Sequence, residues 1–175
     1  MDKHPQIGIV MGSQSDMDIA RKALKTLEDL DIGAEVTIAS AHRTPEDSVS
    51  YAENARSRGI VAIIAIAGLS AALPGVVAAH TTLPVIGVPV NTGTLGGMDA
   101  LLSIAQMPPG VPVAATGIDG AKNAALLAAR IIALQDPSLH ERLCEAVFRG
   151  GQKVRASRAS ISDMPAAPED AFSRE

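Results

Sequence analysis

The chain has no tryptophan, one tyrosine and two phenylalanines among 175 residues. So few rings exclude the aromatic platforms on which proteins stack single-stranded nucleic acid. They also leave only Tyr51, Phe148 and Phe172 for a flavin sandwich. Cys144 is the single cysteine, which excludes an internal disulfide and any zinc set of the usual spacing. A lone thiol suits a reducing cytoplasm, and its place in a helical stretch predicts an inert, packed residue. No acidic or His/Cys cluster stands at metal-ligand spacing, so no metal is expected. Neither the Gly-x-Gly-x-x-Gly dinucleotide fingerprint nor a P-loop is present. The formal net charge of −4 disfavours a general nucleic-acid binder. Met1 to Pro5 carries no signal-peptide pattern and leads straight into a strand. Long apolar runs are missing too. Val61 to Ala79 approaches the length of a membrane span, but Gly68, Ser70, Pro74 and Gly75 interrupt it. It reads as strand, turn and helix, with no membrane partner.

What remains is rich in small aliphatic residues: 47% of the chain is hydrophobic. Without rings, the core must be Val, Ile, Leu and Ala, which suits a parallel sheet buried by helices on both faces. Five short apolar segments read as strands: Ile7 to Met11, Ala34 to Ala39, Val61 to Ile66, Val85 to Val88 and Val111 to Ala115. Helical patterns alternate with them. Asp16 is expected to cap Met17 to Leu30, and Thr44 to cap a helix opening at Pro45 and ending at Gly59. Further helices are expected over Gly97 to Ile104, Asn123 to Leu134 and from about Pro137 to Arg149 or somewhat beyond. Alternating β and α predicts right-handed crossovers and an α/β, three-layer αβα sandwich. The expected five-stranded parallel order is 2-1-3-4-5, with an extra C-terminal helix. Residues 1–155 read as one catalytic domain and 156–175, rich in Ser, Ala, Pro and charge, as a flexible tail. Leu139, Leu143, Val147 and Phe148 stripe the last helix, which points to packing on its own domain or on a second subunit. A homo-oligomer is favoured.

Chemistry concentrates where strands give way to helices, the edge at which open α/β sheets hold ligands. Gly12-Ser13-Gln14-Ser15-Asp16 ends the first strand. Its backbone N–H groups and the Ser13 and Ser15 hydroxyls can hold phosphate, and Asp16 can accept ribose hydroxyls or cap the helix. An ordinary strand-to-helix turn fits the same residues. Ser40-Ala41-His42-Arg43-Thr44-Pro45 ends the second strand. It sets a group that titrates near neutrality, His42, beside the fixed planar cation of Arg43. His4, His80 and His140 lie in less useful places. The third turn, Ala67 to Gly75, is built of small residues whose amides can approach a carboxylate or CO2, though tight helix–sheet packing needs small residues as well. A glycine-rich fourth turn, Asn91 to Asp99, can close over a ligand. Together the turns suggest a pocket for a small phosphorylated molecule.

Six ordered motifs now carry a resemblance. GSQSD at 12–16, SAHRTP at 40–45, AGLSAALPG at 67–75, LPVIGVPV at 83–90, MDALLSIAQMPPGVPVA at 98–114 and NAALLAARI at 123–131 are similar to the PurE family of purine biosynthesis. The resemblance spans residues 6 to 150. It implies a flavodoxin-like fold, a homo-oligomer (typically an octamer), a ribonucleotide substrate and no cofactor. One branch is N5-carboxyaminoimidazole ribonucleotide mutase, which moves a carboxylate from the exocyclic nitrogen to ring carbon C4. The other is aminoimidazole ribonucleotide carboxylase, which uses CO2 directly. By matching position, Ser13, Asp16 and Arg43, with Ser40 beside them, would bind the ribose phosphate, and His42 would shuttle the proton. Gly68, Leu69, Ser70 and Ala71, together with Ala72, would hold the migrating carboxylate. The chain departs from the pattern at Ala72, where the mutase branch usually has a second histidine. Ser70 is similar to the carboxylase branch, whereas Arg43 stands where carboxylases more often have lysine. The motif set favours the mutase, with the carboxylase as the alternative. A non-catalytic nucleotide-binding domain is a third reading that the fold alone permits.

Overall fold

Three of the predicted strands consist of residues with almost no solvent contact, as a sheet covered on both faces requires. In the computed structural model, which describes residue 4 and residues 6–172, these are β1 (Ile7–Met11), β3 (Ala62–Ala67) and β4 (Val85–Pro89). β2 (Ala34–Ile38) and β5 (Ala114–Ala115) form the edges. All neighbours pair in parallel, in the order β2-β1-β3-β4-β5. The flavodoxin-like order expected from sequence is therefore present. The reading of Met1 to Pro5 lies, except for His4, outside the described residues.

Strand alternation divides the core in two. Ile7, Ile9, Met11, Ile64, Ile66, Ile86 and Val88 face one layer, made by α1 (Met17–Asp29), α5 (Ala121–Ala133) and α6 (Pro137–Ala156). Val10, Ile63, Ala65 and Val85 face the other, made by α2 (Pro45–Ala55), α3 (Leu73–Ala79) and α4 (Met98–Ala105). Ala121, Ala124, Ala125, Ala128 and Ala129 are all fully buried on α5. Their spacing makes a smooth helical face, so α5 can lie close to both α1 and the sheet.

The elements differ from the expected ones in ways that have local causes. β5 is two residues rather than five, because Pro112 supplies no N–H for a ladder. α6 does run beyond Arg149, as expected, and ends at Ala156. Its start is fixed by Asp136, whose carboxylate accepts from the Leu139 amide at 3.0 Å. Asp16 and Thr44 do not cap their helices. Ser13 caps a short 3-10 turn over Gln14–Asp16 instead, and Thr44 Oγ1 accepts from the Ser40 amide at 2.9 Å, closing the second turn on itself.

The apolar stripe of α6 splits. Leu139 and Leu143 pack into the core, whereas Val147 and Phe148 are 64% and 60% exposed. The Arg142 guanidinium donates to the Leu30 carbonyl at 3.2 Å, tying α6 to the end of α1. Cys144 is exposed, which corrects the expectation of a packed thiol. The docked face of α6 carries Leu143, and the next residue is turned about 100° away from it. Cys144 Sγ lies 3.5 Å from His140 Nε2, one turn earlier. No helix among the described residues is long and apolar enough to cross a membrane.

Candidate active site

The sheet's strand order reverses between β1 and β3, so the connections leaving these strands diverge and open a crevice at their carboxyl ends. A cavity of about 510 Å³ occupies it. All the residues nominated from sequence line it: Ser13, Asp16, Ser40, His42, Arg43, Gly68, Leu69, Ser70 and Ala71. Three loops separated by whole helices thus meet at one place. Ala72, Leu73 and Thr92 line it as well. Tyr51, Phe148 and Phe172 do not line it, so the one ring on its wall is the imidazole of His42.

Arg43 joins the first two turns. Its Nη2 donates to the Gly12 carbonyl at 3.1 Å, across 31 positions of sequence. Its Nε donates to Ser40 Oγ at 3.4 Å, and its amide reaches the same oxygen at 3.3 Å. The guanidinium is thereby held on the cavity wall, against the residue that follows β1. His42 is exposed there, and its ring nitrogens have no hydrogen-bond partner among the described residues. His80 pairs with Glu53 instead, 3.3 Å away, and no other histidine lines the cavity.

Asp16 is only 5% exposed, although it is an acid. Ser15 Oγ donates to its Oδ1 at 3.2 Å. Burial pushes its carboxyl above the ordinary value of 3.8, against the opposing pull of the Ser15 hydroxyl, the Ser13 backbone and the Arg43 charge. The folded chain therefore keeps this proton to a higher pH than the unfolded chain does. Stability contributed by the neutral form is complete below 3.8 and is lost as pH rises through the folded value. Asp16→Asn should abolish that loss. Urea unfolding of both proteins, from below pH 3.8 to neutrality, should show the parent weakening relative to the variant as pH rises. Parallel pH profiles for the two would contradict it.

The third turn is different in kind. Its residues carry no charge, and Leu69 adopts a left-handed φ of 52°. That conformation costs a non-glycine residue about 1–2 kcal/mol. It leaves Leu69 57% exposed, with its Cδ2 2.8 Å from where a β-carbon on Gly93 would stand. Gly68 admits Thr92: a β-carbon on Gly68 would overlap the Thr92 methyl. Thr92 was legible only as part of a glycine-rich fourth turn, and its position at the end of β4 was the one available signal.

A family model described as AIR carboxylase matches residues 6–150. The chain belongs to this family, the PurE family. Among its relatives, the N5-carboxyaminoimidazole ribonucleotide mutase of Pyrococcus abyssi is 55% identical over 139 residues, 79% of this chain and 80% of that one. The protein of the same name from Thermotoga maritima is 53% identical over 150 residues, covering 86% and 88%. A crystal structure of Treponema denticola PurE is 33% identical and superposes with a TM-score of 0.82, over 90% of this chain and 99% of that one. Membership makes the chain an enzyme of the purine-biosynthetic PurE family. Within the family pattern, Ala72 contributes a methyl to the cavity wall where the mutase branch usually has an imidazole.

Proposed function

We propose that this PurE-family chain is an N5-carboxyaminoimidazole ribonucleotide mutase, an isomerase yielding 4-carboxyaminoimidazole ribonucleotide. The observation that carries the reading is one cavity lined both by a cationic, hydroxyl-rich group (Ser13, Asp16, Ser40, Arg43) and by an uncharged one (Gly68 to Ala72), with His42 next to Arg43. A phosphate dianion belongs beside the first group, where a guanidinium and free amides stand ready. A one-carbon fragment belongs beside the second. The mutase name borne by relatives about half identical over most of their length supports the same choice.

The chemistry follows from that placement. The C–N bond to the carboxylate breaks, CO2 is released into the pocket, and the electron pair stays on the exocyclic nitrogen, which takes a proton. The electron-rich ring then attacks the trapped CO2 through C4. Confinement makes this step effectively intramolecular. His42 removes the C4 proton, restoring aromaticity, and in the next turnover returns a proton to nitrogen. Ser13, Asp16 and Arg43 hold the ribose phosphate throughout. No metal or organic cofactor takes part in this scheme. Residues 1–155 act as one catalytic domain, in a cytoplasmic homo-oligomer for which family resemblance suggests an octamer.

Ser70, together with the missing imidazole at position 72, favours a second reading, direct carboxylation of aminoimidazole ribonucleotide. Two incubations separate the readings. Purified protein with N5-carboxyaminoimidazole ribonucleotide should yield the 4-carboxy product rapidly, whereas aminoimidazole ribonucleotide with bicarbonate should not. Product from the second mixture alone would reverse the choice. Binding without turnover in either would make the chain a nucleotide-binding domain.

A further inference from the structure

The mutase reading leaves open what stops CO2 from escaping while it is bonded to nothing. The uncharged part of the wall is made from two strands, not one. The third turn follows β3, and Thr92 reaches the same cavity from the end of β4. The Thr92 methyl is seated over Gly68, so its position is set by the absence of a side chain there. Leu69, turned outward by its positive φ, approaches Gly93 and joins the two loops beside it. Asn91, the residue before Thr92, is anchored through its amide to Asp119 Oδ1 at 2.9 Å. Thr92 is therefore fixed on both sides. Yet neither its hydroxyl nor its amide has a hydrogen-bond partner among the described residues. Thr92 is exposed on the cavity wall, so its hydroxyl and amide face water that a ligand group can displace.

We propose that Thr92 is a positioning residue that holds the migrating one-carbon fragment, as carboxylate and then as CO2, through its hydroxyl and amide. The proposal rests on the mutase reading and deepens it. The absence of charge in this part of the wall has a chemical sense. A cation there would stabilise the starting carboxylate more than the departing neutral CO2, and so oppose C–N cleavage. Neutral donors hold both forms loosely and keep the fragment within reach of C4. The phosphate, a dianion, is left to Arg43 elsewhere on the cavity wall.

The test is the partition of the intermediate. Parent, Thr92→Val and Thr92→Ser are each given N5-carboxyaminoimidazole ribonucleotide. The ratio of free aminoimidazole ribonucleotide to 4-carboxy product is measured after subtraction of enzyme-free decay. Thr92→Val keeps the methyl over Gly68 and removes the hydroxyl. Loss of one neutral hydrogen bond should raise this leak ratio on the order of tenfold. Thr92→Ser should restore it to near the parental value, and affinity for aminoimidazole ribonucleotide should be unchanged in both. Should Thr92→Val disturb folding, Thr92→Ala gives the same comparison against Thr92→Ser. A leak ratio equal to the parent's in Thr92→Val, or a Thr92→Ser protein that leaks as much, would overturn the role of the hydroxyl while leaving the mutase reading intact. A parent protein that forms no product from this substrate would sink both.

Discussion

Replacing His42 with Asn should leave binding of aminoimidazole ribonucleotide near the parental value and lower kcat by roughly 10²–10⁴-fold, the usual scale for a positioned acid–base group. Asparagine keeps the side chain polar and of similar length but cannot carry a proton between two sites at neutral pH. His42 makes no hydrogen bond within the described protein, so its removal strips nothing from the fold. Arg43→Ala supplies the contrast. It deletes both the cation and the bond to the Gly12 carbonyl, so it should raise KM more than it lowers kcat. Steady-state kinetics with titration calorimetry distinguishes the two. Equal losses of affinity, with normal turnover at saturation in His42→Asn, would remove the imidazole from the chemistry.

Gly87→Val should give the largest loss of stability. Gly87 lies in the middle of β4, where a β-carbon would overlap the Ile104 side chain and sit 3.1 Å from Val113 Cγ1 and 3.4 Å from Pro74 Cβ. These neighbours belong to three different segments, and Ile104 is completely buried, so no single shift makes room. Overpacking of this kind costs about 1–3 kcal/mol, and valine adds two further methyls. For a chain of this length, a loss of about 3 kcal/mol lowers Tm by roughly 6–12 °C. Thermal unfolding followed by circular dichroism reads it directly. Gly117→Ala is the control, since nothing lies within 4 Å of a β-carbon there, and its Tm should match the parent's. An unchanged Tm in Gly87→Val would mean that α3 and α4 are far more yielding than their packing implies.

The features that were legible in sequence share a cause: each is contained in a short stretch of chain. Ile63, Ile64 and Ile66 mark a buried strand by their own branching and neighbours. The alanine spacing of α5 marks a buried helix in the same way. Features that depend on partners far along the chain were misread or missed. Asp16 has the residue type of a cap, but Ser13 closes the turn first and the burial of Asp16 sends its carboxylate elsewhere. The strand expected from Val111 fails because Pro112 cannot donate, and only Ala114–Ala115 pairs with β4. Cys144 was judged by the general habit of its residue type, whereas its exposure follows from which face of α6 docks.

By itself the sequence determined the layered parallel sheet, the family and three of the turns that carry polar or small residues at the strand ends. Period, branching and turn chemistry are local, and an ordered set of motifs survives without coordinates. Only the tertiary structure decided that Arg43 grips the carbonyl of Gly12, that the methyl of Thr92 rests where Gly68 has no side chain, and that nine nominated residues share one cavity. Those facts depend on how parallel strands register and how crossovers return, which bring together atoms that no neighbouring residues specify.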